Sequence, residues 1–354
     1  MTFDVYSLLF KEKALLSNKN EAYISFCLEY AKPLLEQRLP VIYDLEHFSK
    51  LVGYNENYIK RAVRFPRSFY YEYKVPKKNG LGYREISQPF PSLKEIQYWV
   101  LENILYEIPI SPYAKAYVKG KKLKENARFH KKRKVVITYD VQNFFHSIKK
   151  EVVEKLFLEL GYSELLANLL SKLLTLRGGL PQGAPTSPYL SNIIMSGFDK
   201  AIGEYCKKNN LFYTRYADDL SFSSNIDIEE DHLYDFVNTE MSKLKLTLNK
   251  QKTHVMKSSQ RQIVTGIIVN EKIQVPREFK KEIRKDVYFI KKFGFESHLE
   301  KIKCKNAKKY IKGLLGKINF GLQVNPNDKE LLIYKKICIE YLIKNIPPED
   351  IIIS

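Results

Sequence analysis

Phe212-Tyr213-Thr214-Arg215-Tyr216-Ala217-Asp218-Asp219-Leu220-Ser221-Phe222-Ser223 is the stretch whose reading decides the fold. Two short runs rich in aromatic and β-branched residues flank a pair of aspartates, and the pattern predicts a β-hairpin with the carboxylates where it folds back. Adjacent carboxylates repel each other unless a cation lies between them, so this position calls for a hard, oxygen-preferring metal. Aspartates are also common in plain surface turns, and Tyr216-Ala217-Asp218-Asp219 is short enough to arise by accident. Its weight comes from what surrounds it.

Upstream, Val135-Val136-Ile137-Thr138-Tyr139 is an apolar strand that stops on Asp140. A strand-end carboxylate held near the pair at a hairpin tip is what two divalent ions need, one to lower the pKa of an attacking hydroxyl and one to stabilise a leaving pyrophosphate. Magnesium suits such a site because it takes few carboxylates and keeps phosphates and water as its other ligands. Taken alone, Asp140 reads as a helix N-cap or strand-end turn residue rather than as a metal ligand.

The chain has 354 residues, 44% hydrophobic and 13% aromatic, enough for a large core divided into two or three subdomains. No apolar run has the length of a membrane span, and Met1-Thr2-Phe3-Asp4 opens no signal peptide, so a cytoplasmic protein with no membrane partner is expected. Cys27, Cys206, Cys304 and Cys338 are far apart and form no zinc pattern, which predicts reduced packing cysteines. The net charge of +19 favours a polyanionic partner. From Lys115 to Lys134 there are ten Lys or Arg against one acid, and from Lys301 to Phe320 seven lysines and none. The first run interleaves Tyr117, Asn126, Phe129 and His130 with its cations, a mixture suited to sugar–phosphate and stacked bases rather than to a merely solvated face.

Residues 1 to about 60 read as helical, with Leu28, Ala31 and Leu34 at helical spacing. Phe69 to Pro89 predicts a hairpin turning at Pro76-Lys77-Lys78-Asn79-Gly80, followed by a helix from Ser92. Two helices are expected over Glu151–Leu176, then one capped by Ser187 with Pro188 in its first turn. A helix near Asp231–Lys245, a short strand pair to Asn270 and basic helices from Pro276 complete the chain. Helices and antiparallel strands without a βαβ rhythm predict the α+β class.

Asp140, then Leu180-Pro181-Gln182-Gly183-Ala184-Pro185-Thr186-Ser187-Pro188, then Tyr216-Ala217-Asp218-Asp219, resembles in order and spacing the palm of a reverse transcriptase. Lys77 through Arg84 resembles the family's triphosphate-gripping hairpin, and Asn249-Lys250-Gln251-Lys252-Thr253 its lysine-bearing segment. Asn126-Ala127-Arg128-Phe129-His130, Val264-Thr265-Gly266 and the tail Leu314 to Pro326 resemble retron reverse transcriptases. The resemblance covers most of residues 70 to 330 and none of the first 60 or so.

It implies a right-hand polymerase: an N-terminal helical region (1–68), fingers (69–133), palm (134–270) and a basic helical thumb (271–354). Asp140, Asp218, Asp219 and the Val141 carbonyl would bind two Mg2+ ions, with Mn2+ as a substitute. Lys77, with Lys78 as its alternative, and Arg84 would hold triphosphate. Gln182 would lie by the incoming dNTP, Phe145 beneath its sugar, and Lys252 would protonate pyrophosphate. Tyr117, Lys119, Asn126, His130, Thr265 and Gly266 are the RNA-binding candidates. The family implies a cognate noncoding RNA as template, priming from an internal guanosine 2′-hydroxyl, a branched RNA–DNA (msDNA) product, and anti-phage defence with a separate effector protein. An intron-encoded or abortive-infection reverse transcriptase is the alternative within the enzyme class. An RNA-binding scaffold or antitoxin is the alternative outside it, and the three aspartates weigh against it.

Overall fold

The computed structural model describes residues 2–77 and 82–345. It opens with α1 (Phe3–Leu16), α2 (Glu21–Glu36), α3 (Leu45–Val52) and α4 (Glu56–Arg64). Asn20 and Asp44 start α2 and α3 by accepting backbone N–H bonds from Tyr23 and His47, each satisfying a donor the first turn leaves over. Next come β1 (Tyr70–Pro76) and β2 (Tyr83–Pro89), antiparallel with Tyr73 opposite Ile86 and Val75 opposite Arg84. Helix α5 (Pro91–Asn103) buries Leu93, Ile96, Val100 and Leu101, one helical face. Then follow α6 (Leu123–Arg128), β3 (Val135–Asp140), α7 (Phe144–Ser147), α8 (Lys150–Glu159) and α9 (Glu164–Leu174). The chain continues through α10 (Ser187–Ile194), α11 (Ser196–Lys208), β4 (Phe212–Tyr216), β5 (Asp219–Ser224), α12 (Glu230–Lys243) and β6 (His254–Lys257). A two-residue pair, β7 (Ile263–Val264) and β8 (Ile267–Ile268), leads to α13 (Arg277–Phe293), α14 (Phe295–Lys301), α15 (Ala307–Val324) and α16 (Lys329–Asn345).

Two differences from the sequence reading have simple causes. The residue preceding α10 is Thr186 rather than Ser187, and no side chain caps that helix. The Ser187 hydroxyl instead donates to the Pro181 carbonyl at 2.8 Å, closing the loop before the helix. The strand pair expected before Asn270 is two features: β6 joins β3, and only β7 and β8 pair with each other.

Contacts divide the chain into two compact units, each assembled from three stretches. The first comprises Met1–Lys119, Asp140–Tyr205 and Glu230–Gln251, and its core includes Phe48, Ile96, Phe157 and Leu170. The second comprises Gly120–Tyr139, Cys206–Glu229 and Lys252–Ser354. Its sheet runs in the order β4-β5-β3-β6, with β3 antiparallel to β6. Strand β3 lies inside this sheet, and Val135, Val136 and Ile137 are all buried, so both of its faces are covered. That explains an unbroken apolar run where a half-exposed strand would alternate.

In the second unit, Ile283, Val287 and Ile290 of α13 meet Ile311, Leu314 and Ile318 of α15 and Leu331 and Cys338 of α16. Lys280 and Arg284 of α13 reach Glu330 of α16 at 3.0 and 2.6 Å. A separate cluster joins Ala127 of α6, Val136 of β3, Val264, Ile267 and Val324. Cys27, Cys206 and Cys338 are buried free thiols, and burial pushes Cys206 and Cys338 up to about 12, which makes them unreactive packing groups. Among the described residues no helix is long and apolar enough to cross a membrane.

Candidate active site

Strands β4 and β5 form the expected hairpin, with Tyr216 opposite Asp219 and a loop of two residues, Ala217 and Asp218. So tight a loop needs positive φ, and Ala217 takes it at +58° without being glycine. A strained residue between a tyrosine and two carboxylates persists only where its surroundings hold it. One such hold is Arg215, fully buried, whose Nη1 donates to the Ala217 carbonyl at 3.3 Å. Asp218 and Asp219 are half-buried, and burial together with the Asp219 charge raises the Tyr216 phenol above its ordinary value. Strand β3, next to β5 in the sheet, ends on Asp140, which is 9% exposed.

Beyond Asp140 the backbone pairs with the segment before residue 250. Asn249 N donates to the Asp140 carbonyl at 2.7 Å, and Gln142 N donates to Thr247 O at 2.9 Å. These bonds flank the Val141–Leu248 bridge. In such a pair the bridged residues' own N–H and C=O point away from each other, so the Val141 carbonyl is directed away from that segment. Lys252 ends a single exposed turn, Lys250–Lys252.

In the first unit, Lys77 and Arg84 are both exposed on the β1–β2 hairpin, and Lys77 N donates to Gly82 O at 3.0 Å. Lys78 lies outside the described residues. The loop bearing Gln182 is docked on β2: Ser87 N donates to the Gln182 carbonyl at 2.8 Å. Gly183 follows with φ +128°, and a Cβ there would stand 2.9 Å from the Ser87 carbonyl. Gly179 is equally constrained, since a Cβ would run into the His146 carbonyl. An ion pair from Arg177 to Glu72 at 2.7 Å ties the same loop to β1. Arg84 and Gln182 therefore belong to one assembly. Phe145 is half-buried, 5.4 Å from the Phe144 ring and 6.2 Å from that of Tyr117. Tyr117 is 46% exposed with φ +60°.

The basic run is a smaller face than its composition suggests. Lys115 is buried and bonds the Pro112 carbonyl, and Lys132 and Lys134 pair with Glu271 and Asp227. Arg133 lies 3.6 Å over the Phe212 ring, where burial lowers its pKa. Lys119, Lys122, Arg128 and Lys131 remain exposed.

Asn126 and His130, expected as RNA contacts, are fully buried. Asn126 Nδ2 donates to Thr265 Oγ1 at 3.4 Å, and the His130 ring bonds Ser223 Oγ and Thr214 Oγ1 at 2.8 and 2.7 Å. Side chains sealed inside the protein cannot stack on a base. The exposed members of this element are Arg128 and Phe129; in the β7–β8 turn, Gly266 is exposed and Thr265 is half-buried with φ +48°. Arg215, Thr214 and Ser223 carry no motif of their own. The only signal for them was their position in the hairpin, a charged or hydroxyl residue where a sheet must be covered.

Residues 75–310 match the family described as Reverse transcriptase (RNA-dependent DNA polymerase), more than half of the chain. By class, then, this α+β protein is an RNA-directed DNA polymerase with the right-hand polymerase fold. It is 34% identical over 254 residues to the retron Ec86 reverse transcriptase of Escherichia coli, covering 71% of this chain and 79% of that one. It is 33% identical over 279 residues to the Escherichia coli retron Ec83 enzyme, covering 74% and 85%. To the retron Mx65 enzyme of Myxococcus xanthus it is 28% identical over 320 residues, covering 84% and 72%. The chain belongs to the retron reverse transcriptases.

Proposed function

We propose that the protein copies one cognate noncoding RNA into DNA, starting from the 2′-hydroxyl of an internal guanosine. The product is a branched RNA–DNA molecule used in anti-phage defence together with a separate effector protein. Similarity to retron enzymes along most of the chain carries this reading. The two retron-like elements Asn126–His130 and Val264–Gly266, which the Asn126–Thr265 hydrogen bond joins, support it.

In this reading Asp140, Asp218, Asp219 and the Val141 carbonyl hold two magnesium ions, with manganese as a substitute. The donors are all oxygen, which suits a hard cation. Among the described residues no group of three or more His, Cys, Asp or Glu is placed to hold a metal ion; magnesium in such sites takes few carboxylates and keeps substrate phosphates and water as its other ligands. Ions held by these residues would supply charge stabilisation to the attacking oxygen and the departing pyrophosphate.

The chain's own groups do the rest. Lys77 and Arg84 grip triphosphate oxygens from the β1–β2 hairpin, and Gln182, docked on β2, lines the nucleotide. Phe145, braced by Tyr117, lies under the sugar and excludes a 2′-hydroxyl by overlap. Lys252 gives a proton to pyrophosphate. Residues 69–133 act as fingers, 134–270 as palm and 271–354 as thumb, following the N-terminal helical region 1–68. Lys119, Arg128, Phe129, Thr265, Gly266, the exposed face of Tyr117 and the basic helices after Pro276 meet RNA through phosphate and unpaired bases.

The test supplies purified protein with the noncoding RNA transcribed from its own locus, dNTPs and magnesium, without added primer. DNA that stays covalently attached to an internal guanosine, through a link sensitive to 2′–5′ debranching enzyme, is the expected product. No DNA in that reaction, with extension restored when a 3′-hydroxyl primer is added in a parallel one, overturns the retron priming reaction and leaves the polymerase class intact.

A further inference from the structure

The Asn126–His130 element turns inward at both ends, and its histidine ends on the catalytic hairpin. Both ring nitrogens are engaged, one with Thr214 of β4 and one with Ser223 of β5. Directly opposed residues share a face, and the pairs Tyr216↔Asp219, Thr214↔Ser221 and Phe212↔Ser223 place both hydroxyls on the face that carries Asp219. The imidazole therefore bridges the two strands diagonally on that face. Its position is fixed from behind. Ala127 sits in the cluster with Val136, Val264 and Ile267, Lys132 N donates to the Val269 carbonyl at 3.0 Å, and Gln262 Nε2 donates to Arg133 O at 3.0 Å. A neutral imidazole offers one donor and one acceptor, and hydroxyls can answer either, so both bonds form in either tautomer.

We propose that His130 is a positioning residue for nucleotide addition: its ring fastens β4 to β5 beneath the tip that presents Asp218 and Asp219, so every primer–template depends on it, not the cognate RNA alone. Ala217 holds a strained conformation at that tip, and a strained turn keeps its geometry only while its strands are held in register. The inference rests on the polymerase class and not on retron priming.

The substrate for the test is a DNA primer annealed to an unstructured RNA template; extension by the wild-type protein establishes polymerase activity separately. His130→Ala is expected to lower kcat about a hundredfold, the scale of a misplaced catalytic group. The melting temperature should fall, since the change leaves a cavity and two unpaired buried hydroxyls, but the Kd for primer–template and the KM for dNTP should hold in the folded variant, a split that general loss of structure does not produce. His130→Gln, which keeps a donor and an acceptor, should restore part of the rate. Thr214→Val with Ser223→Ala should give the same loss, and adding His130→Ala should deepen it no further, because all three remove one interaction. Wild-type kcat in His130→Ala, or losses that multiply, would overturn the proposal. Should His130→Ala fail to fold, the hydroxyl double variant decides: wild-type extension by it overturns the proposal, and a lowered kcat with retained KM supports it.

Discussion

Replacing Gly183 by alanine tests whether the Gln182 loop and the β1–β2 hairpin work as one nucleotide clamp. At φ +128° the backbone is in a region essentially closed to residues with a Cβ, which costs about 1–3 kcal/mol. The added methyl would stand 2.9 Å from the Ser87 carbonyl and 3.0 Å from Ile86 Cγ2. The first of these is backbone of a paired strand and cannot swing aside. Undocking the loop relieves both strains but breaks the 2.8 Å bond from Ser87 N to Gln182 O, a loss of about 0.5–1.5 kcal/mol. Staying docked keeps the strain of about 1–3 kcal/mol, whereas undocking costs about 0.5–1.5 kcal/mol, so the loop takes the cheaper route of moving off β2. Movement of about 1 Å at a substrate-positioning group lowers turnover about a hundredfold. Single-nucleotide addition over a range of dNTP concentrations should therefore show kcat/KM reduced about a hundredfold, with a raised KM. Primer–template affinity should be unchanged, because no phosphate-binding cation is removed. Gly197→Ala is the control, since that α11 glycine has nothing within 4 Å of a new Cβ and no positive φ. Wild-type dNTP dependence in Gly183→Ala would refute the clamp.

Asp218→Asn or Asp219→Asn should abolish DNA synthesis while leaving RNA binding nearly intact, as gel-shift and extension assays on one preparation will show, because the basic surface is untouched. Phe145→Ala should admit ribonucleotides in paired dNTP and rNTP extension, and Tyr117→Ala should do so in part through loss of the brace at 6.2 Å; unchanged discrimination in Phe145→Ala places that ring in the core instead. Arg284, then Lys280, holds the Glu330 carboxyl down to about 2 from an ordinary 4.5. A depressed carboxyl contributes stability present above its ordinary pKa and lost as pH falls toward its folded value. Thermal melts should therefore show Glu330→Gln losing about 0.2–1 kcal/mol per exposed pair at neutral pH. The gap to wild type should close as pH falls from about 4.5 to 2.

Local chemistry was legible in the chain itself. Aromatic and β-branched runs with turn residues mark β1–β2 and β4–β5, an unbroken apolar run ending on a carboxylate marks β3, and helical spacing marks α2. The three aspartates stand out as metal-ligand candidates because their types and order suit that chemistry without reference to anything distant. Asn126 and His130 could not be placed the same way. In a basic stretch with an aromatic between them they read as an RNA surface, and only the cluster around Ala127 turns both inward while leaving Arg128 and Phe129 outside. Arg215 is similar, a cation that composition assigns to the surface and the hairpin buries completely. Sequence determines which residues a turn or strand can use, because φ, ψ and side-chain period are local properties. Which side of that strand meets water, which loop lies within a methyl group of Ser87, and which hydroxyls a histidine finds depend on segments 84 to 139 residues away in the chain. Those relations exist only once the core has closed.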